Sequence, residues 1–185
     1  MSITPPARPN LTRIDFENRI RAAFPGRQLP AFYVCGIRGY YRDSMGAVGR
    51  NDRNIYDDAI FVASPNAFAG FNGNTDPSVT RPRIATLQPG WWPCYQFDIH
   101  GGSVPHEAIC QRKGPVTVER DGAAGESGMF GINIHRGGRT GTSSLGCQTV
   151  PPDQWDAFYA LAKGEAVRLY GKRWNKETIT YILIG

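Results

Sequence analysis

The sequence predicts a mainly-β domain with short helices, on three observations. Residues 95–100 and 129–135 alternate apolar and polar side chains, the period of a half-buried strand. Residues 31–37, 59–63 and 179–184 are short apolar runs bounded by turn-forming residues. Helical spacing is confined to two stretches, 14–24 and 155–162.

Taken in order, residues 1–10 are Pro-rich and are expected to form a flexible arm, leaving 11–185 as a single domain. A helix is expected over 14–24, with Phe16, Ile20, Ala23 and Phe24 on one face and Pro25-Gly26 as its stop. Residues 31–37 and 59–63 read as strands. Residues 39–57 and 66–82, rich in Gly, Asn and Asp, read as long loops. Tyr95, Phe97 and Ile99 share one face of a strand, with Gln96, Asp98 and His100 on the other. Residues 107–111 and 116–120 suit further strands, the second ending at the turn Asp121-Gly122. In 129–135, Phe130, Ile132 and Ile134 form the buried face, and Gly131, Asn133 and His135 the opposite one. Asp153 is the candidate N-cap of a helix carrying Trp155, Phe158, Tyr159 and Ala162. Residues 166–170 and 179–184 read as closing strands.

The chain has 185 residues and a formal net charge of +5. Positive charge favours anionic partners, bacterial cell-wall polymers included. The Arg and Lys residues are scattered and form no dense basic run, so no nucleic-acid partner is expected. The first residues lack the apolar stretch of a signal peptide, and no segment reaches membrane-span length. Synthesis in the cytosol, no membrane insertion and a monomeric state are expected. Cys35, Cys94 and Cys110 have apolar neighbours and read as reduced core thiols. Cys147 differs: its neighbours are Gly, Gln, Ser and Thr.

A cysteine becomes a strong nucleophile on losing its proton, and an imidazole eases that loss. His135 lies twelve residues before Cys147. Strand alternation turns it off the apolar face, and the Gly-rich loop between them can fold it back. Gly146 leaves the sulfur open, and the N–H groups of Gly146 and Cys147 are the expected oxyanion donors. A backbone carbonyl in Arg136-Gly137 is the expected acceptor for the second imidazole nitrogen. Arg136 and Arg139 suit a substrate carboxylate. Ser144 is expected to shape the turn. Asn133, Gly137 and Gln148 are expected polar or backbone neighbours of the substrate.

Ile134-His135-Arg136-Gly137-Gly138 with Ser144-Leu145-Gly146-Cys147 resembles the signature of the L,D-transpeptidase (YkuD-type) catalytic domain superfamily. The resemblance covers about residues 95–170. It implies a β-sandwich with short helices, and acyl transfer on peptidoglycan stem peptides through a cysteine thioester. Cys147 would be the nucleophile, His135 the base, and Gly146-Cys147 part of the oxyanion hole. Leu145 stands where the superfamily has His, Thr149 where it has Arg or Asn, and the His-to-Cys loop is short. Gly-Cys-Gln after a short His-Arg loop is more similar to the phage-associated murein hydrolases of this superfamily. The resemblance therefore implies an endolysin-like peptidase that acts on the wall after release. A transpeptidase, a non-catalytic wall-binding module and an injected toxic effector stay open beside it.

His100 and His106, with His135 or a cysteine, are the candidate zinc ligands, but His-x5-His matches no strong zinc pattern. No metal and no cofactor are assigned. His100-Gly101-Gly102 reads instead as the lip of a substrate cleft. Trp91-Trp92 reads as packing in preference to a sugar platform.

Overall fold

The computed structural model describes residues 2–101 and 104–185, so Gly102 of the expected cleft lip lies outside the described residues. It is a mainly-β, sandwich-like fold built from a large mixed sheet and a small one. Along the chain come α1 (Arg13–Ala23), β1 (Tyr33–Ile37), β2 (Asp58–Ala63), β3 (Phe68–Gly73), β4 (Ala85–Leu87) and β5 (Gly90–His100). They are followed by β6 (His106–Gln111), β7 (Val116–Arg120), β8 (Ala123–Gly128), β9 (Ile134–Arg136), β10 (Gln148–Val150), α2 (Pro152–Tyr170) and β11 (Ile179–Ile184).

The large sheet runs β10-β9-β6-β5-β11-β1-β2-β3, and the small one β4-β7-β8. Within the large sheet β1/β11 and β9/β10 are parallel, and the other pairs are antiparallel. β1, β2 and β11 are buried along their whole length, which explains why they read as unbroken apolar runs. One face of the sheet, carrying Tyr33, Cys35, Phe61 and Ile182, packs on Phe16 and Ile20 of α1. The opposite face, carrying Val34, Ile60, Ile109, Ile134 and Tyr181, shares its core with α2 and the small sheet. The two outermost strands of the order meet. Asn74, just past β3, and Thr149 of β10 exchange both backbone hydrogen bonds at 2.8 Å. The sheet thus curls back on itself, and the first half of the chain reaches the segment around Cys147.

Several expectations change. β3 lies inside the expected loop 66–82. Gly70 and Gly73 read there as turn formers but serve close packing: a Cβ on Gly70 would sit 2.7 Å from the Phe61 ring, and one on Gly73 2.6 Å from Ile60. Residues 166–170 are not a strand; Ala166 extends the buried stripe of Trp155, Phe158, Tyr159 and Ala162, and α2 runs on to Tyr170. Asp153 is not the N-cap, which is Pro151; Pro152 starts the helix and Asp153 sits in its first turn, where the helix dipole favours it. In 129–135 only the end is strand, and the expected polar face is itself buried at Asn133 and His135. Ala23 of the expected α1 face is exposed. Residues 2–10 have no regular structure, yet they lie along the body: Pro5 and Pro9 are buried and the Ile3 carbonyl accepts from Tyr56 N–H.

Candidate active site

β9 and β10 pair in register, Ile134 beside Gln148 and His135 beside Thr149. With a side-chain period of two, Ile134 and Val150 enter the core, and His135 and Thr149 take the other face. One step upstream, Gln148 N–H donates to the Asn133 carbonyl, which sets Cys147 beside Asn133 on that same face. β6 pairs with β9 through Ile109 and Ile134, and His106 of β6 faces His100 of β5 across their hairpin. The β5/β6 hairpin, β9 and the turn that leads into β10 therefore bring His100, His106, His135 and Cys147 to one region of the sheet.

Loops from the first half of the chain clamp the segment between His135 and Cys147. The Ser78 hydroxyl accepts from Ser144 N–H at 2.6 Å, and Ser78 N–H donates to the Ser144 carbonyl at 2.7 Å. Asn54 Oδ1 accepts from Thr142 N–H at 3.0 Å, and the Tyr56 hydroxyl donates to the Gly138 carbonyl at 2.7 Å. Within the turn, the Ser144 hydroxyl donates to the Cys147 carbonyl at 2.6 Å and accepts from Gly146 N–H at 3.0 Å. Gly146 has φ +133°, and a Cβ there would lie 2.7 Å from the Ala85 carbonyl oxygen. Ser144 shapes the turn, as its sequence context suggests. Gly146 N–H is already committed to that hydroxyl, so it is not the free oxyanion donor expected. Among the described residues the N–H of Cys147 donates to nothing, and it remains the candidate.

Cys147 is half-buried, whereas Cys35, Cys94 and Cys110 are buried and free, as their surroundings predict. Its Sγ receives the Asn133 N–H at 3.4 Å and donates to the Gly131 carbonyl at 3.5 Å. Burial pushes the thiol up to about 11, and the Asn133 N–H pulls the other way. His135 is 6% exposed, and its Nδ1–H donates to the Arg136 carbonyl at 2.8 Å. A carbonyl only accepts, so Nε2 carries the free lone pair of a neutral base. Burial brings this imidazole down to about 4; the Arg136 bond opposes that, and His100 and His106 add to it.

The His100 ring lies 4.5 Å from that of His135, centroid to centroid, at an interplanar angle of 9°. His100 Nδ1 accepts from Asn133 Nδ2 at 2.8 Å, and burial, with His106 and Arg112 nearby, lowers its pKa. Asn133 thus serves the sulfur with its backbone and His100 with its side chain. No hydrogen bond joins Cys147 to His135 among the described residues. By the β9/β10 register they sit two residues apart on the same face of the sheet.

Four other expected site residues are placed as follows. Gln148 is buried, donating to the Gly146 carbonyl and accepting from the Tyr181 hydroxyl, so it braces the turn from behind. Arg136 is exposed on the pleat opposite His135 and contributes its carbonyl to the site. Gly137 is packed beneath the Tyr56 hydroxyl. Arg139 is exposed and lines a small surface cavity with Thr4, Pro151 and Asp153. Trp91 packs edge-on against Phe24, and the Trp92 indole N–H donates to the Gln88 carbonyl, so both are used in packing.

One organiser escaped sequence reasoning. Gln111 Oε1 accepts from the N–H groups of Phe130, Gly131 and Ile132 at 3.2, 2.9 and 3.2 Å, and its Nε2 donates to the Gly114 and Gly128 carbonyls. It fixes the segment that supplies both polar contacts of the sulfur. A Gln at the end of an apolar strand gives no sign of this. Comparison with protein-family models, with curated proteins and with solved structures finds no match to this chain.

Proposed function

We propose that this chain is a peptidoglycan peptidase of endolysin type, cleaving a peptide bond in the murein stem or cross-link through a Cys147 thioester. The observation that carries the chemistry is a half-buried thiol on the same sheet face as an imidazole whose Nδ1–H is fixed on the Arg136 carbonyl. That bond leaves Nε2 as the base on the face the sulfur shares. The substrate class rests on the two sequence blocks, Ile134 to Gly138 and Ser144 to Cys147, and is supported by the net charge of +5.

In the reaction, His135 Nε2 takes the thiol proton as Sγ attacks the scissile carbonyl carbon. The carbonyl oxygen gains the negative charge and accepts from the Cys147 N–H. The tetrahedral intermediate collapses, the C–N bond breaks, and the imidazolium returns its proton to the departing amine. Water, deprotonated by the same imidazole, then releases the acyl group and restores the thiol. An amine in place of water would make the product a new cross-link.

Mass spectrometry of muropeptides incubated with the chain and with Cys147→Ala tests this reading. Shorter peptides from the first protein and none from the second are expected. Cross-linked or exchanged products alone would make it a transpeptidase, and wall binding without turnover would make it a binding module.

A further inference from the structure

We propose that His100, His106 and His135 form a binding site for a divalent metal ion, with Zn2+ as the ion that their chemistry favours. Three adjacent strands supply the ligands, and one nitrogen from each ring lies within 4.8 Å of the other two. Tetrahedral zinc with Zn–N bonds of 2.0–2.1 Å needs its ligand nitrogens ~3.4 Å apart. The nitrogens must therefore close by up to ~1.4 Å, a side-chain adjustment and not a rearrangement of the sheet.

Two of the three are set for this role. Metal-binding histidines generally donate their second ring N–H to a carbonyl or carboxylate, which fixes the tautomer and aims the lone pair. His106 Nδ1–H does so to the Val104 carbonyl at 3.0 Å, and His135 Nδ1–H to the Arg136 carbonyl at 2.8 Å. Both Nε2 lone pairs are thereby free. His106 Nε2 is sealed from solvent and has no hydrogen-bond partner among the described residues. A buried acceptor without a donor costs free energy that an ion at this position would recover.

His100 is the ligand that must move. Its ring is nearly parallel to that of His135, so their in-plane lone pairs do not converge. Its Nδ1 is also engaged by Asn133 Nδ2. Binding accordingly turns this ring and releases the Asn133 amide. The site is two prepared ligands and a recruitable third, with remaining positions left to water.

One consequence rests on the peptidase reading above. The ion takes the His135 lone pair that would otherwise accept the thiol proton, so zinc and turnover exclude each other.

Titrating the chelator-treated full chain with ZnCl2 by calorimetry tests the site. One ion per chain is expected, with affinity about tenfold or more weaker in His106→Ala and in the milder His106→Gln. Cys147→Ser should keep the stoichiometry, and the Co2+-loaded chain should show d–d bands without a thiolate charge-transfer band. A zinc-dependent rise in Tm of the unaltered chain gives a readout that does not depend on the variants folding. No binding, affinity in both His106 variants equal to that of the unaltered chain, or a thiolate band would overturn the site. If muropeptides are cleaved, zinc should inhibit the unaltered chain and spare His106→Ala; stimulation by zinc would overturn the exclusion. Zinc binding by a metal-free chain without peptidase activity leaves the site and removes the peptidase. Cleavage by a chain that binds no zinc does the reverse.

Discussion

Replacing Gly146 by Ala perturbs the turn that carries Cys147, and the outcome follows from two independent costs. At φ +133° an L side chain is strained, by about 1–3 kcal/mol for such sparsely populated backbone regions. The added Cβ also meets the Ala85 carbonyl at 2.7 Å and Ile132 Cδ1 at 3.0 Å, and overpacking of this kind costs about 1–3 kcal/mol. β4 is held in the small sheet and the carbonyl is backbone, so the turn gives way before the strand does. Domains of this size lose roughly 2–4 °C of Tm per kcal/mol, so Tm should fall by about 5–15 °C. The relaxed turn should also re-aim Cys147. As the other three thiols are buried, labelling by a thiol reagent reports on Cys147 alone, and its rate should change severalfold. A Tm within about 2 °C of the parent with unchanged labelling would refute the reasoning that this glycine is required by backbone and contact.

Three further outcomes are expected. His135 has a folded pKa below its unfolded value, so the unfolded chain takes up the proton first as pH falls. Its contribution, on the order of 3 kcal/mol, is present above pH 6.5 and is lost as pH drops toward 4; Tm measured against pH should flatten over this window in His135→Gln. Gln111→Leu removes the acceptor of three N–H groups and the donor to two carbonyls, and on the order of 4 kcal/mol of stability should go with them. Hydrogen exchange should rise at residues 130–132, and unchanged protection there would discount the Gln111 network. Gly164→Ala, exposed in α2 with open space around it, should raise stability by about 0.5–1 kcal/mol in chemical denaturation, and a loss would contradict its position.

Legibility in the sequence followed the physics of each element. Strands buried on both faces announced themselves as apolar runs, and β5 by its alternation. β3 did not, because two glycines that admit Phe61 and Ile60 look like turn formers until their neighbours are known. The end of α2 was hidden by β-prone residues whose helical state is set by packing of Ala166. At the candidate site, local motifs anticipated the Ser144 turn and the carbonyl that orients the His135 imidazole. Gln111 Oε1, Ser78 and Asn54 act across 19 to 88 residues of chain, and single-sequence reasoning carries no signal at that range. The cluster of His100, His106 and His135 fell between these cases. Its members were visible, but their meeting depends on the order β9-β6-β5, which spacing alone does not encode.

A thiol raised to about 11 beside an imidazole lowered to about 4 cannot rest as a thiolate–imidazolium pair. Both shifts come from burial, which penalises each charge separately, and no bond between the two groups offsets it among the described residues. In the proposed reaction the proton would therefore move only as the sulfur attacks, when the developing charge passes to the oxyanion and the imidazolium approaches its counter-charge. Alkylation by iodoacetamide separates this from an ion-pair nucleophile. For a neutral thiol the rate climbs about tenfold per pH unit from pH 6 to 10, because only the thiolate reacts. An ion pair would give a plateau through neutral pH and a thiolate absorbance that disappears in His135→Gln. The unaltered chain should show neither, and a neutral plateau would mean that the imidazole reaches the sulfur at rest.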